Sequence, residues 1–199
     1  MISDCTPTAT ARTDINHPSS FKTGVRVLML MLRAKDGGSA KTDRRATKRF
    51  ITRSEAEFDE ALAKLRAIWT LDQRIYSTIN PRNITKAIRL FKYRQLDAEY
   101  YAEADKQSFY LDLENRWVSC LNDGKSADES LFLFDFDDSM VGKSQHFPDF
   151  HIPTNYYQIL DTYATRNGHH VITTPFNPAV INSTTASILM KDSLMLWSF

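Results

Sequence analysis

The segment Leu-Phe-Leu-Phe-Asp-Phe-Asp at 131–137 constrains the fold more than any other part of the sequence. Its unbroken apolar start is typical of a strand that lies centrally in a sheet and is covered on both faces. Because side chains alternate along a strand, its three phenylalanines share one face, and Asp135 and Asp137 share the other. The segment therefore predicts a central strand with two carboxylates projecting together near its end.

Helical and extended patterns alternate through most of the remaining sequence. Ser54 and Glu57 match a capping box ahead of apolar residues at helical spacing, which predicts a helix over about 55–70. A second helix begins after the Asn-Pro-Arg-Asn segment at 80–83 and runs to about 104, whereas the signals over 109–128 are mixed. Shorter patterns predict strands over 25–34, 49–52, 74–79, 169–174 and 194–199 and helices over 156–164 and 178–187.

This alternation favours an α/β or α+β class with one main sheet, mainly antiparallel or mixed, and flanking helices. A length of 199 residues fits one domain, because about 100–200 residues per domain is usual. Residues 1–20 are rich in Thr, Ser and Asp and are predicted to form a disordered N-terminal arm. We therefore expect a single domain over 21–199.

The charge balance and the cysteine content indicate which partners and which cellular compartment to expect. Lys and Arg number 25 against 24 Asp and Glu, so attraction to nucleic acid has to come from local patches, of which the basic loop at 41–49 is the densest. Cys5 and Cys120 suggest neither a disulfide framework nor a metal site, which favours the cytoplasm. The longest apolar run, 27–32, is too short to span a bilayer, so no membrane partner is expected.

Two carboxylates on one face of a strand are a natural cradle for divalent cations. In two-metal phosphoryl transfer the ions lie about 3.5–4 Å apart, and carboxylates spaced like Asp135 and Asp137 bridge them while substrate phosphates complete the coordination. The alternative is that both acids, with Asp138, end a strand and enter a polar turn.

Two later segments add candidate functional groups. Gly168 leads into a strand that begins with His169 and His170, and alternation places the two imidazoles on opposite faces. Beside a carboxylate centre, an imidazole binds phosphate or transfers a proton, and elsewhere it is a structural residue. Asp192, just before the last strand, either completes a carboxylate cluster or forms a surface ion pair with Lys191.

This order, an apolar strand with Asp-x-Asp, then Gly-x-His opening a strand, then an acid before a final strand, resembles the archaeo-eukaryotic primase superfamily, including its small primase-polymerase members. The resemblance covers about 74–199, and the chain is also similar to small bacteriophage-encoded proteins. It implies that Asp135, Asp137 and Asp192 are metal ligands and that His170 contacts the nucleotide. Zinc-binding cysteines of the family are absent, and Lys191 precedes the third acid.

The leading hypothesis is a divalent-metal-dependent nucleotidyltransferase with a primase-polymerase-like core, in which Mg²⁺ or Mn²⁺ neutralises a nucleoside triphosphate. Asp135, Asp137, His170 and Asp192 are its predicted catalytic residues. Arg166 and Lys191 are predicted to steady the phosphates, and a basic stripe is predicted to hold a nucleic acid backbone. The residues of that stripe are Arg82, Lys86 and Arg89.

Two alternatives keep the same core. One is a non-catalytic phage protein that binds single-stranded nucleic acid or a host partner, with aromatic residues beside basic ones for stacking. The other is a metal-dependent nuclease with His170 as general base. Motifs for a Walker loop, a dinucleotide fingerprint, a zinc protease and a nucleophile elbow are absent. The aromatic residues of the first alternative are Tyr93, Tyr100, Tyr101, Phe109 and Tyr110.

Overall fold

A computed structural model describes residues 24–32, 46–70, 73–101, 103–137, 157–165, 168–180, 188–192 and 194–198. The predicted arm at 1–20, most of the basic loop, Asp138 and Arg166 lie outside the described residues. The described helices and strands are, in chain order, β1 (Arg26–Leu32), β2 (Ala46–Thr52), α1 (Glu55–Ile68), β3 (Gln73–Thr78), α2 (Ile84–Tyr101), α3 (Glu103–Leu111), α4 (Leu113–Asn122), β4 (Phe132–Asp137), β5 (Ile159–Thr165), β6 (Gly168–Thr173), β7 (Leu189–Lys191) and β8 (Leu194–Ser198).

The described strands form two four-stranded antiparallel sheets, which confirms the mixed α and β class but shows that the prediction of one main sheet is wrong. The first sheet has the order β2-β1-β3-β8, and the second has the order β5-β6-β4-β7. The chain leaves the second sheet after β7 and enters the first sheet with β8. Asp192 lies at this crossing with a φ of 53°, a left-handed conformation that Asp tolerates better than most residues.

The predicted central position of β4 is confirmed, because this strand pairs with β6 on one side and β7 on the other. Phe134 and Phe136 pack against Val171 on one face. Leu133 and Ile172 lie on the opposite face, where they join the core of the first sheet. β4 is thus buried on both faces along its apolar part.

The first sheet is covered on both sides. One face packs against α1 and the second sheet, and its largest buried residue is Trp197, whose Nε1 donates to Ser77 Oγ at 2.7 Å. The other face carries Val27 and Met29 and packs against α2 and α4. The first sheet therefore has one apolar layer on each of its two faces.

The capping box predicted for α1 is present. Ser54 Oγ accepts a hydrogen bond from the Glu57 amide at 3.2 Å, and Glu57 Oε2 accepts one from the Arg53 amide at 2.8 Å. These contacts satisfy amides that the first helical turn leaves without intrahelical partners. The helix ends one or two residues earlier than predicted, at Ile68.

The prediction of a helix over 156–164 is wrong, because this stretch contributes β5. β5 is an edge strand with only partly buried side chains, so its sequence lacks the clear apolar alternation that marks a strand. The helix predicted over 178–187 is a single 3₁₀ turn at Pro178–Val180, and 181–187 lies outside the described residues. None of the described helices has the length and apolar character needed to cross a membrane.

Candidate functional site

The centre of the candidate site is a direct contact between Asp135 on β4 and His170 on β6. The two residues are cross-strand partners, so their side chains project side by side from the same face of the second sheet. His170 Nε2 lies 3.0 Å from Asp135 Oδ1. The Asp135 side chain is 41% exposed and the His170 side chain only 11%, so the carboxylate is the solvent-facing end of the pair.

A third residue, Tyr163 on β5, completes a line of hydrogen bonds behind His170. It is the cross-strand partner of His170, and its hydroxyl lies 2.8 Å from His170 Nδ1. The backbone amide of Leu196 on β8 donates to the same hydroxyl at 3.3 Å. We call Asp135, His170 and Tyr163 the Asp–His–Tyr line.

The two partners of His170 constrain where its ring protons lie. An ionised carboxylate only accepts hydrogen bonds, so the contact with Asp135 Oδ1 requires a proton on Nε2. The Tyr163 hydroxyl both donates and accepts, so it partners Nδ1 with or without a proton there. This arrangement orients the ring and places an imidazole proton at the edge of an exposed carboxylate.

Sequence reasoning missed Tyr163 because β5 was predicted to be helical. The residue spacing would have identified it. In a hairpin that pairs Thr165 with Gly168, the residue two positions before Thr165 lies opposite the residue two positions after Gly168, so Tyr163 faces His170. Of the two histidines, His170 is the inward one and His169 is exposed, as alternation along the strand predicts.

Asp137 lies on the same strand as Asp135 and pairs through its backbone with Gly168, next to the Asp–His–Tyr line. The side chain of Asp137 lies outside the described part, so its place on the Asp135 face stays a prediction from strand alternation. The side chain of Lys191 also lies outside the described part, and its backbone pairs with Phe132.

Asp192 does not join this group. It follows the Phe132–Lys191 pair at the opposite end of β4 from Asp135, so at about 3.3 Å per residue the two acids are on the order of 10 Å apart. Arg82 NH1 lies 2.7 Å from Asp192 Oδ2, and Asn80 Nδ2 donates to Asp192 Oδ1 at 3.0 Å. Asp192 is therefore held in a structural ion pair.

The prediction that Arg82 contacts nucleic acid is wrong, because its side chain is only 1% exposed and its guanidinium is used in the ion pair with Asp192. Lys86 is exposed but contacts Asp128 at 3.2 Å and donates to the Ala127 carbonyl at 2.8 Å. Arg89 alone of the predicted basic stripe is exposed without a described partner.

The positions of the carboxylates show which of them are available to bind the predicted Mg²⁺ or Mn²⁺. Among the described residues, no group of three or more His, Cys, Asp or Glu side chains is arranged to hold a metal ion. Mg²⁺ is usually bound through one or two carboxylates together with substrate phosphates and waters. The exposed Asp135 carboxylate has the donor chemistry for such a site, whereas Asp192, in its ion pair, does not contribute to it.

Helix α2 presents a separate basic and aromatic surface. Arg89, Lys92, Tyr93, Leu96 and Tyr100 follow the spacing of one helix face, and all five are exposed. Tyr93 is 72% and Tyr100 85% exposed. We call these five residues the α2 face.

The other aromatic residues predicted for stacking do not share this exposure. The ring of Phe109 is buried at 2% exposure and packs against Phe91, so its predicted role in stacking is wrong. The Tyr110 hydroxyl bonds to Glu99 and Gln95. The side chain of Tyr101 lies outside the described part.

No protein-family model, no curated protein and no solved structure matches this chain. The resemblance to the archaeo-eukaryotic primase superfamily accordingly stays a prediction.

Proposed function

We propose that this chain is a divalent-metal-dependent nucleotidyltransferase whose site lies at the exposed end of β4. The observation that supports this function best is the contact between Asp135 and His170, which places a solvent-facing carboxylate and an oriented imidazole on adjacent strands. A nucleoside triphosphate is the proposed substrate, and a nucleic acid hydroxyl is the proposed acceptor. The hydroxyl oxygen bonds to the α-phosphorus, pyrophosphate leaves, and the hydroxyl proton passes to solvent.

The roles of the protein groups follow from their positions. Mg²⁺ or Mn²⁺ supplies charge neutralisation of the triphosphate and activation of the attacking hydroxyl. Asp135, with Asp137, holds the cation through carboxylate oxygens. His170 contacts the phosphates through Nε2 when a phosphate oxygen shares or replaces its contact with Asp135, while Tyr163 maintains the orientation of the ring. Asp192 and Arg82 are left out of this site, because their charges neutralise each other elsewhere.

If water instead of a nucleic acid hydroxyl attacks the phosphorus, the same side chains form the site of a nuclease. His170 then acts as general base once the attacking water replaces Tyr163 at Nδ1, because the other ring nitrogen, Nε2, contacts Asp135. The products distinguish these reactions, since a transferase lengthens a labelled strand and a nuclease shortens it.

Thermal stability with Mn²⁺ and each nucleoside triphosphate tests whether nucleotide binds at β4. We expect a metal-dependent rise in Tm for the native chain and its loss in Asp135→Asn/Asp137→Asn, because bound ligand stabilises the folded state. Asp59→Asn is the matched control, since this carboxylate lies exposed on α1. Equal shifts in the native chain and the double variant, or none in either, would show that the proposed site is wrong.

A second proposed function is binding of single-stranded nucleic acid by the α2 face. Two exposed tyrosines offer stacking surfaces, and Arg89 and Lys92 offer cations that no described carboxylate neutralises. Stacking on aromatic side chains combined with backbone contacts is how proteins bind single strands without sequence preference. This function requires no metal, so it is independent of the β4 site.

Fluorescence anisotropy with a labelled oligothymidylate at several salt concentrations tests the α2 face. Each phosphate contact that is lost reduces the slope of log K against log salt by about 0.7 for single strands. We expect this reduction for Arg89→Ala, weaker binding for Tyr93→Ala, and no change on adding a chelator. Lys64→Ala on α1 is the control, and equal losses in all variants would contradict a role for α2.

We propose the cytoplasm, or the host cytoplasm if the chain is encoded by a phage, as the location of the protein. Cys120, the cysteine within the described part, is a buried free thiol. Free thiols persist in a reducing compartment.

A further inference from the structure

A cleft of about 340 Å³ lies between α4 and the face of the first sheet that points away from the second sheet. Its apolar wall includes Met29 and Met31 from β1, Val118 from α4 and Leu194 from β8. Ligand pockets for small molecules begin at about 300 Å³ and are lined mainly by apolar groups with a few polar ones. This cleft has the size of such a pocket and a more polar lining, with four apolar residues and six polar or charged ones.

Arg49 places a positive charge at the cleft. It is the cross-strand partner of Met29, so its side chain stands beside the apolar wall. Arg49 NH1 donates to Asn115 Oδ1 at 2.5 Å, which is a neutral partner. Among the described residues no carboxylate forms an ion pair with Arg49. Asp192 also lines the cleft, but its carboxylate is paired with Arg82, so Arg49 is the cation left for an anion that enters.

Two further polar atoms of the lining are buried and lack hydrogen-bond partners in the described structure. They are Arg82 Nε, a donor, and Asn122 Oδ1, an acceptor. The Asn122 amide nitrogen contacts Met29 Sδ at 3.5 Å, which leaves its oxygen as the group that needs a donor. Buried polar atoms are usually satisfied, and a ligand in the cleft supplies the missing partner of Asn122 once this side chain turns toward the cleft.

We propose that this cleft binds a small organic anion with a flat apolar body and an N–H or O–H donor. The anionic group pairs with Arg49, the body packs on the methionines, and the donor reaches Asn122 Oδ1. The site is separate from Asp135, because Leu28 and Leu30 on the other face of β1 form the layer toward the second sheet. This binding site does not depend on the function proposed for β4.

Methyl NMR of protein labelled at the methionine methyls reports on the cleft directly. The probes are indole-3-carboxylate and adenosine 5′-monophosphate, which carry a carboxylate and a phosphate on a flat ring system with N–H donors. Their neutral counterparts are indole-3-carboxamide and adenosine. We expect at least one anion to shift Met29 and Met31 and to leave Met195, in the other core, unchanged. The neutral counterparts should bind more weakly.

Variants of β2 identify the cation that binds the anion. Arg49→Gln should weaken the bound anion about tenfold or more, because a charge-assisted hydrogen bond contributes about 1.5–3 kcal/mol. Lys48→Gln removes the same charge from the next residue, which projects from the opposite face of β2, and should leave the affinity unchanged. An unchanged Met195 signal in each variant verifies the fold. If neither anion shifts Met29 and Met31, or if Arg49→Gln binds as tightly as the native chain, the proposal is wrong.

Discussion

The guanidinium of Arg82 and the carboxylate of Asp192 lie 2.7 Å apart and connect the segment before α2 to the crossing between the two sheets. Arg82 also forms backbone bridges with Val25 and Ala127. The pair thus joins segments from the beginning, middle and end of the described chain. Because the pair is largely buried, removal of either charge leaves the other without a counter-charge.

Asp192→Asn should lower the free energy of unfolding by about 2–3 kcal/mol, because it leaves the buried Arg82 cation without its counter-charge. This is less than for a fully buried pair, since Asp192 is 21% exposed. Asn tolerates the positive φ of Asp192, so the loss comes mainly from the charge. Urea unfolding without metal measures it.

The control for this prediction is Glu60→Gln, which breaks the exposed ion pair with Lys64 on α1 and should leave the urea midpoint unchanged. A native midpoint for Asp192→Asn would contradict a structural ion pair. A loss that appears only when Mn²⁺ is present would instead identify Asp192 as a metal ligand.

Tyr163→Phe should remove the hydrogen bond at His170 Nδ1 and leave the contact of Nε2 with Asp135 in place. The variant also removes the hydroxyl that accepts from the Leu196 amide. We expect a stability loss of about 1 kcal/mol, typical of one hydrogen bond. Nitrogen NMR of the imidazoles should show a changed His170 Nδ1 signal in the variant, because this nitrogen loses its partner. The exposed His169 serves as internal reference, and an unchanged His170 spectrum would contradict this hydrogen bond.

Ser54→Ala should destabilise the protein by about 1 kcal/mol, the usual cost of removing an N-cap side chain. The hydroxyl of Ser54 is the described acceptor for the Glu57 amide at the start of α1. Ser54→Asp keeps a capping oxygen and should stay close to the native stability. Urea unfolding compares the three proteins, and equal midpoints for Ser54→Ala and Ser54→Asp would argue against the cap.

The thiol of Cys120 should make stability fall with rising pH. Burial raises the pKa of Cys120, and the Arg94 guanidinium opposes this rise only in part. Folding therefore favours the neutral thiol: this stabilisation is complete below the unfolded pKa of about 8.5 and is lost as pH rises through the higher folded pKa. Cys120→Ala should show a smaller decline in the urea midpoint across that range. Parallel declines in both proteins would mean that other groups cause the effect.

Local patterns predicted several elements well. The alternation around Phe134 identified β4, and the pairing of Ser54 with Glu57 located the start of α1, because both signals arise between residues close in sequence. The strands predicted over 25–34 and 49–52 are present as β1 and β2, which pair in antiparallel orientation. β5 was missed because its edge position leaves Ile159 and Thr162 exposed, so burial imposes little pattern on its sequence.

The alternation of Asp135 and Asp137 with phenylalanines along a buried strand can be predicted from the sequence alone, since the two-residue period of a strand is a local property. Which groups contact these acids depends on the folded chain. His170 lies 35 residues after Asp135 and reaches it through the register of β4 and β6. Asp192 contacts Arg82 instead, because the chain passes from one sheet to the other there. Strand register and the packing of two sheets depend on residues far apart in sequence, so no short segment predicts them.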